Sequence, residues 1–239
     1  MTTAKVVTLA PVEAAAASLR NAIATGALQP GQRIKEIPVA ASLGLSRGPV
    51  REALRLLVEE GLVTLVPNVG ASVAEVHYQD LMELYAQRLA LGALALRSIA
   101  GCDDLTDAQA RLQDLASAVK RKDAAAAVEA DLVFQDALIG SSSLQRTVRL
   151  FERTTIQLRV YAGMLGVDYK PRLPAMHRED ARLLELVRSG DLLELRVLWR
   201  SKLEGWLEVF VTQVGEQFDV ELWRTTYAGD VPAPAAQRG

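Results

Sequence analysis

Leu45-Ser46-Arg47-Gly48-Pro49-Val50-Arg51-Glu52-Ala53-Leu54 predicts a short capped helix with one apolar and one cationic face. Ser46 stands just before an apolar-periodic run, so its hydroxyl is placed to cap the first free N–H groups. Pro49 fits the first turn, where a missing N–H costs nothing. Val50, Ala53, Leu54, Leu57 and Val58 recur at three- and four-residue steps and define a buried stripe. Arg47, Arg51 and Arg55 lie four apart on another face, and Gly61 ends the helix as a left-handed cap.

Upstream, Pro38 opens a second short helix with Val39, Ala40 and Leu43 on its apolar side, and Gly44 closes it. Two short helices joined by a tight glycine turn are a helix-turn-helix, whose second helix enters the major groove. Downstream, Leu62–Val66 and Ala71–Val76 are β-rich runs around Pro67-Asn68-Val69-Gly70, the pattern of a hairpin. After a helix-turn-helix such a hairpin is a wing.

Gly31-Gln32-Arg33-Ile34, the stretch from Leu45 to Leu54, and Glu60-Gly61-Leu62-Val63 closely resemble the N-terminal domain of GntR-type bacterial transcription regulators. The likeness is contiguous from Leu19 to Val76. The helical remainder resembles, more loosely, the FCD-like effector domain of the FadR branch, in its six-helix VanR-like form.

The composition fits this reading. A chain of 239 residues accommodates one large or two modest domains, and half of it is hydrophobic with few aromatics, which suits helix packing. Lys+Arg number 7 against 6 Asp+Glu in residues 1–76, and 20 against 23 in residues 77–239. No global basic field marks a non-specific polyanion binder, whereas a specific DNA binder needs only a few placed arginines. The lone Cys102 excludes an internal disulfide framework and fits a reducing cytosol. No apolar run reaches the ~20 residues that span a bilayer, and the N-terminus lacks a signal-peptide pattern. A cytoplasmic protein with no membrane partner is expected.

The expected fold is mainly α: an N-terminal winged helix-turn-helix domain followed by an antiparallel all-helical bundle. Residues 1–10 are read as a flexible N-terminus, 11–76 as the DNA-binding domain and 77–80 as a linker. Residues 81–226 are read as the effector-binding and dimerisation domain, and the Pro/Ala-rich 227–239 as a disordered tail. Helical periodicity covers 79–100, 105–121, 123–139, 143–165, 174–189 and 191–217, with a mobile break from Asp168 to Pro174.

Arginine at a recognition-helix N-terminus can reach guanine O6 and N7 bidentately. By resemblance, Arg47 and Arg51 match the family's base- and phosphate-contacting arginines, flanked by Ser46 and Gly48. Arg33 and Lys35 are candidate phosphate ligands, and Asn68 and Gly70 are candidates for the neighbouring minor groove. Many relatives carry arginine where this chain has Ile37, which removes a possible base contact. The alternative is a solvated helix face, with Glu52 and Glu59 as partners of the arginines.

In the resembling effector domains, one Asp and three His hold a divalent metal that helps bind a carboxylate ligand. Asp131 is retained here, but Gln135, Asp180 and Lys202 stand where the histidines are expected. Carboxylate and amide oxygens are harder donors than imidazole, and a protonated amine cannot ligate. No metal or other cofactor is therefore expected, and Lys202 is read as supplying the positive charge, with Asp131 and Asp180 as counter-ions. Arg88 and Lys202 are the candidates for an acidic effector, and Gly92 opens room beside Arg88. Arg159 and Tyr161 are further candidates to line the same cavity. His77 is read as linker surface and His177 as an exposed or helix-capping residue.

The favoured function is a homodimeric, sequence-specific DNA-binding regulator, a repressor, whose helical domain binds a small organic acid. A second reading keeps DNA binding but makes the helical domain a degenerate dimerisation module. An enzyme, such as a hydrolase using Asp131, Asp180 and His177, lacks a nucleophile–base pair and a convincing metal set.

Overall fold

The computed structural model describes residues 6–66, 70–213, 215–216 and 218–228, with the side chains of 6–9, 171 and 228 left out. Its elements run α1 (Val6–Ala24), β1 (Arg33–Ile34), α2 (Glu36–Leu43), α3 (Arg47–Glu59), β2 (Val63–Val66) and β3 (Gly70–Val73). The helices α4 (Tyr78–Ile99), α5 (Thr106–Lys120), α6 (Ala124–Gly140) and α7 (Gln145–Leu165) follow. The chain then continues through α8 (Leu173–Ser189), α9 (Leu192–Gln213) and α10 (Val220–Trp223). A mainly α fold with a small sheet is what the periodicities predict.

Two compact units emerge. Among the described residues, one comprises those up to 77 together with 156–166, the other 78–155 together with those from 167 on. In the first, the buried stripe of α3 (Val50, Ala53, Leu54 and Leu57) shares a core with Leu19 and Ile23 of α1 and with Leu62, Val63 and Val73, whereas Val58, expected in that stripe, is exposed. The strands form an antiparallel sheet in the order β1-β3-β2, pairing Arg33 with Ser72 and Val66 with Gly70. The last turns of α7 belong to this unit because Gly163 brings its backbone directly onto the carbonyl of Ala24, where a Cβ would collide. Arg159 and Tyr161 lie in that segment, so they group with the winged unit and not with Arg88.

Local chemistry explains the helix-turn-helix. Gly44 sits in the left-handed region at φ +64°, and Leu45 N–H donates to Ala40 O at 2.9 Å, which closes α2 and turns the chain into α3. Gly61, at φ +71°, ends α3 in the same way, with Leu62 N–H donating to Leu57 O at 2.9 Å. α2 starts at Glu36 and not at Pro38, since the first-turn N–H groups have no intrahelical partner and a proline there removes nothing. Ser46 occupies the N-cap of α3 with extended backbone, yet its side chain makes no capping bond. Pro49, third in the helix, lacks one of the N–H groups that an N-cap hydroxyl normally meets.

The second unit packs α4 against α9 and α5 against α6 and α8 around Phe134, Leu183, Trp199 and Leu207. Several boundaries differ from expectation. α1 begins at Val6, inside the stretch read as flexible, while residues 1–5 lie outside the described residues. α4 begins at Tyr78, so the expected linker is helical except for His77. α9 stops at Gln213, where Gly215 turns left-handed at φ +78° and Glu216 N–H reaches back to Val211 O at 3.3 Å. A further short helix follows. Trp223 on it is fully buried and donates its indole N–H to Met82 O at 3.1 Å, and Arg224 binds Glu204 through two 2.7 Å bonds. The helical turn Arg224–Ala228 runs into the expected tail, of which 229–239 lies outside the described residues.

The break between α7 and α8 is anchored where a mobile loop is expected. Tyr169 packs edge-on to Trp206 at 5.6 Å and Phe210 at 6.4 Å, and a short 3-10 turn over Lys170–Arg172 leads straight into α8. Arg172 lies over the Trp206 ring at 5.3 Å and binds Glu179 at 2.9 Å.

Candidate nucleic-acid interface and buried polar cluster

The first turn of α3 is solvent-facing because its buried stripe starts only at Val50. Ser46, Arg47, Gly48 and Arg51 are all exposed there. A Cβ at Gly48 would meet nothing within 4 Å, so this surface is open to an approaching backbone. Arg47 and Arg51 converge on Glu36 in the first turn of α2. Arg51 donates through Nε to Oε1 and through Nη2 to Oε2, both at 3.0 Å, and Arg47 Nη2 donates to Oε2 at 3.1 Å. The bond from Arg51, then that from Arg47, holds the Glu36 carboxyl below its ordinary range. Glu36 is thus their partner in place of the expected Glu52 and Glu59. Arg55 pairs separately with Glu52 at 2.7 Å.

Arg33, Lys35, Glu36, Ile37, Arg47, Arg51 and Gly70 line one groove of about 690 Å³ on this unit. β1 puts Arg33 beside Gly70, which sits at φ +107°, where a side chain is strained and a Cβ would lie 3.5 Å from the Arg33 guanidinium. Lys35 is exposed at the N-cap of α2. Asn68 lies outside the described residues. Seven of the eight candidate DNA residues can therefore be placed, and all seven are on this unit. Behind the groove, Arg20 binds Glu60 through bonds of 2.7 and 2.6 Å, which ties α1 to the end of α3.

In the helical unit the five candidate effector residues form one connected chain, and each is at least 98% buried. Lys202 Nζ of α9 lies 2.5 Å from Asp131 Oδ1 of α6 and 2.8 Å from Asp180 Oδ1 of α8. Asp131 Oδ2 accepts from Gln135 Nε2 at 2.7 Å, and Gln135 Oε1 accepts from Arg88 Nη2 at 2.7 Å. Arg88 Nη1 donates to Thr154 and Thr155 at 2.8 and 2.9 Å, and its guanidinium lies 4.2 Å from the Phe151 ring centre. Thr155 in turn donates to Asp136 at 2.7 Å.

Burial works to lower the Lys202 pKa, but Asp131, Asp180 and Glu179 together reverse the effect and leave it raised. Burial pushes the Asp180 carboxyl well up despite Lys202, and the neighbouring Asp131 adds to the rise. The Lys202–Asp180 approach is close but out of alignment for a bond from the ammonium, and the Asp180 carboxyl, when protonated, can donate to the neighbouring Asp131. Asp131, aligned on both oxygens, is the counter-ion of Lys202, and Asp180 keeps its proton to higher pH.

Two expectations need correction here. Gly92 opens no room: the Trp199 indole occupies the space where its Cβ would be, and donates to Leu89 O at 3.3 Å. His177 lies half-buried within α8, neither exposed nor at the helix cap. Glu36, Thr154 and Thr155 went unnoticed in the sequence. Their partners lie 11 to 67 residues away, and no local pattern signals such pairs.

A family model for bacterial regulatory proteins, gntR family, matches residues 11–73, and one for the FCD domain matches residues 83–205. An HTH-type transcriptional regulator from the TAR-I ttuE-ttuC' intergenic region of Agrobacterium vitis is 34% identical over 138 residues, 55% of this chain and 81% of that protein. The gluconate operon transcriptional repressor of Bacillus licheniformis is 30% identical over 173 residues, 71% of this chain and 70% of the repressor. The fold is similar to the solved structure of E. coli McbR/YncC, with a TM-score of 0.69 at 23% identity over 85% of this chain and 98% of that one. No helix among the described residues is long and apolar enough to cross a membrane. The chain belongs to the GntR family of bacterial regulatory proteins, transcription regulators and not enzymes, and carries an FCD domain after its winged helix-turn-helix.

Proposed function

We propose that this chain is a cytoplasmic, homodimeric repressor that places the first turn of α3 in the major groove of a pseudo-palindromic operator. The observation that carries the reading is the convergence of Arg47 and Arg51 on Glu36. One carboxylate holds two guanidinium groups side by side on the exposed N-terminal end of α3, where guanine edges and phosphates are reached. The name of the similar gluconate operon repressor favours repression. The test is selection of duplexes from a random library by the full-length protein, followed by binding titrations. Arg47→Ala and Arg51→Ala are each expected to weaken the selected duplex about tenfold or more. Unchanged affinity in both variants overturns the interface.

The helical unit supports a metal-free sensor of a small organic acid. A divalent metal held by one Asp and three His does not fit these residues. Gln135, Asp180 and Lys202 stand where the resemblance expects imidazoles, and the Lys202 ammonium already lies against both the Asp131 and Asp180 carboxyl groups. Arg88 and Lys202 are two buried cations joined through Gln135 and Asp131, so an acid that competes for either one disturbs the packing of α4, α6, α8 and α9. Their complete burial and mutual bonding equally favours a second reading, in which the unit only dimerises. Elemental analysis and a thermal-shift panel of small organic acids, with and without divalent metal, separate the readings. Stabilisation by one acid without metal, lost in Arg88→Lys, supports the sensor. Stoichiometric tightly bound metal overturns the metal-free site, and no response to any acid favours the second reading.

A further inference from the structure

Ile37 is the second residue of α2, follows Glu36 directly and is 63% exposed. It lines the same groove as Arg47 and Arg51. Its side chain takes no part in the apolar core of this unit, and it cannot make a hydrogen bond. From these observations, and from the reading of α3 as the DNA-contacting helix, we propose that Ile37 is a specificity residue that contacts a thymine methyl group in the major groove.

The chemistry selects one base. Guanine, adenine and cytosine present polar donors and acceptors on their major-groove edges, and thymine alone adds a methyl group. A β-branched side chain has few rotamers to lose on contact and offers a compact apolar surface. Set against polar edges it would leave them desolvated and unpaired, which costs free energy. Beside a methyl group it removes apolar surface from water. Glu36 fixes the geometry, because the residue that positions Arg47 and Arg51 is the covalent neighbour of Ile37. The arginines make the groove complementary to a polyanion, and duplex DNA is therefore the occupant that brings an apolar group to Ile37.

The full-length protein and a duplex that it selects from a random library provide the test, with each thymine replaced singly by deoxyuridine. One symmetric position is expected at which loss of the methyl weakens binding about fourfold, the worth of roughly one buried methylene. Ile37→Ala, at an exposed site, is expected to bind the thymine duplex about as weakly and to be indifferent to the replacement. Repeated selection with Ile37→Arg is expected to change that thymine to guanine, which arginine reads through O6 and N7. If Ile37→Ala keeps the wild-type response to deoxyuridine, or if no thymine position responds, the proposal is overturned. Arg47→Ala on the same duplex distinguishes the underlying failure, since wild-type affinity there means that α3 is not the contacting helix.

Discussion

Glu36 binds Arg51 in a two-bond, side-on pair, both bonds at 3.0 Å, across the turn of the helix-turn-helix. The same carboxylate takes Arg47, so one acidic group sets the spacing of the two arginines before DNA arrives. An anion at the interface has two consequences for an incoming duplex. It fixes the guanidinium planes, and it repels phosphates that approach without specific contacts. Glu36→Gln is therefore expected to strengthen binding to random duplexes and weaken binding to the selected operator. The ratio of specific to non-specific affinity should fall several-fold, while Tm stays unchanged because the pair is exposed. Parallel titrations on the two duplexes at one salt concentration decide the matter. An unchanged ratio removes Glu36 from specificity.

Arg33 and Lys35 line the same groove as that pair. Their place on the rim of the groove suits phosphate contact, which gives affinity without sequence information. Arg33→Ala and Lys35→Ala are each expected to lower the slope of log K against log salt by about one unit and leave the selected sequence unaltered. A change in the selected sequence would place these residues at base edges instead.

The overall architecture was legible because its signals are local. Gly44 and Gly61 mark left-handed helix ends, the α3 stripe repeats at helical spacing, and six helical periods fall close to α4–α9. What stayed hidden depends on distant neighbours. Glu36 meets Arg47 and Arg51 across 11 and 15 residues, and Trp199 fills the space beside Gly92 from more than a hundred residues away. The Lys202–Asp131–Asp180 association was anticipated because the family resemblance set these three positions at one site, and a buried ammonium there must find carboxyl partners. That argument has no means of finding Thr154 and Thr155, which are neutral and lie on a helix face like any other. The capping role of Ser46 failed for a local reason, because Pro49 removes one of the hydrogens that the hydroxyl would have met.

Gly92 offers a direct check on the core. A Cβ there overlaps the Trp199 indole, and both residues lie in the tight α4–α9 seam. Gly92→Ala is expected to destabilise the protein by about 1–3 kcal/mol, the ordinary cost of overpacking. Trp199→Phe in the same chain should return part of that loss by making the ring smaller. Urea unfolding of the single and double variants gives the coupling, and purely additive effects would mean that the two residues do not share the space.

The two aspartates around Lys202 should behave differently despite their similar burial. Asp131 is aligned with Lys202 and with Gln135, so Asp131→Asn removes the counter-ion from a fully buried ammonium and is expected to cost about 3–5 kcal/mol. Asp180 has a folded-state pKa raised well above 3.8, chiefly by burial. The folded protein therefore holds a proton that the unfolded chain releases once the pH passes 3.8. Its contribution is complete below that pH and is lost progressively as pH rises toward the folded-state value. Asp180→Asn resembles the protonated carboxyl in shape and does not titrate. It should cost far less than Asp131→Asn and should flatten the decline in stability between acidic and neutral pH. Urea unfolding of both variants across that interval is decisive. If Asp180→Asn proves as damaging as Asp131→Asn, with the wild-type pH dependence intact, then Asp180 is ionised and shares Lys202 equally.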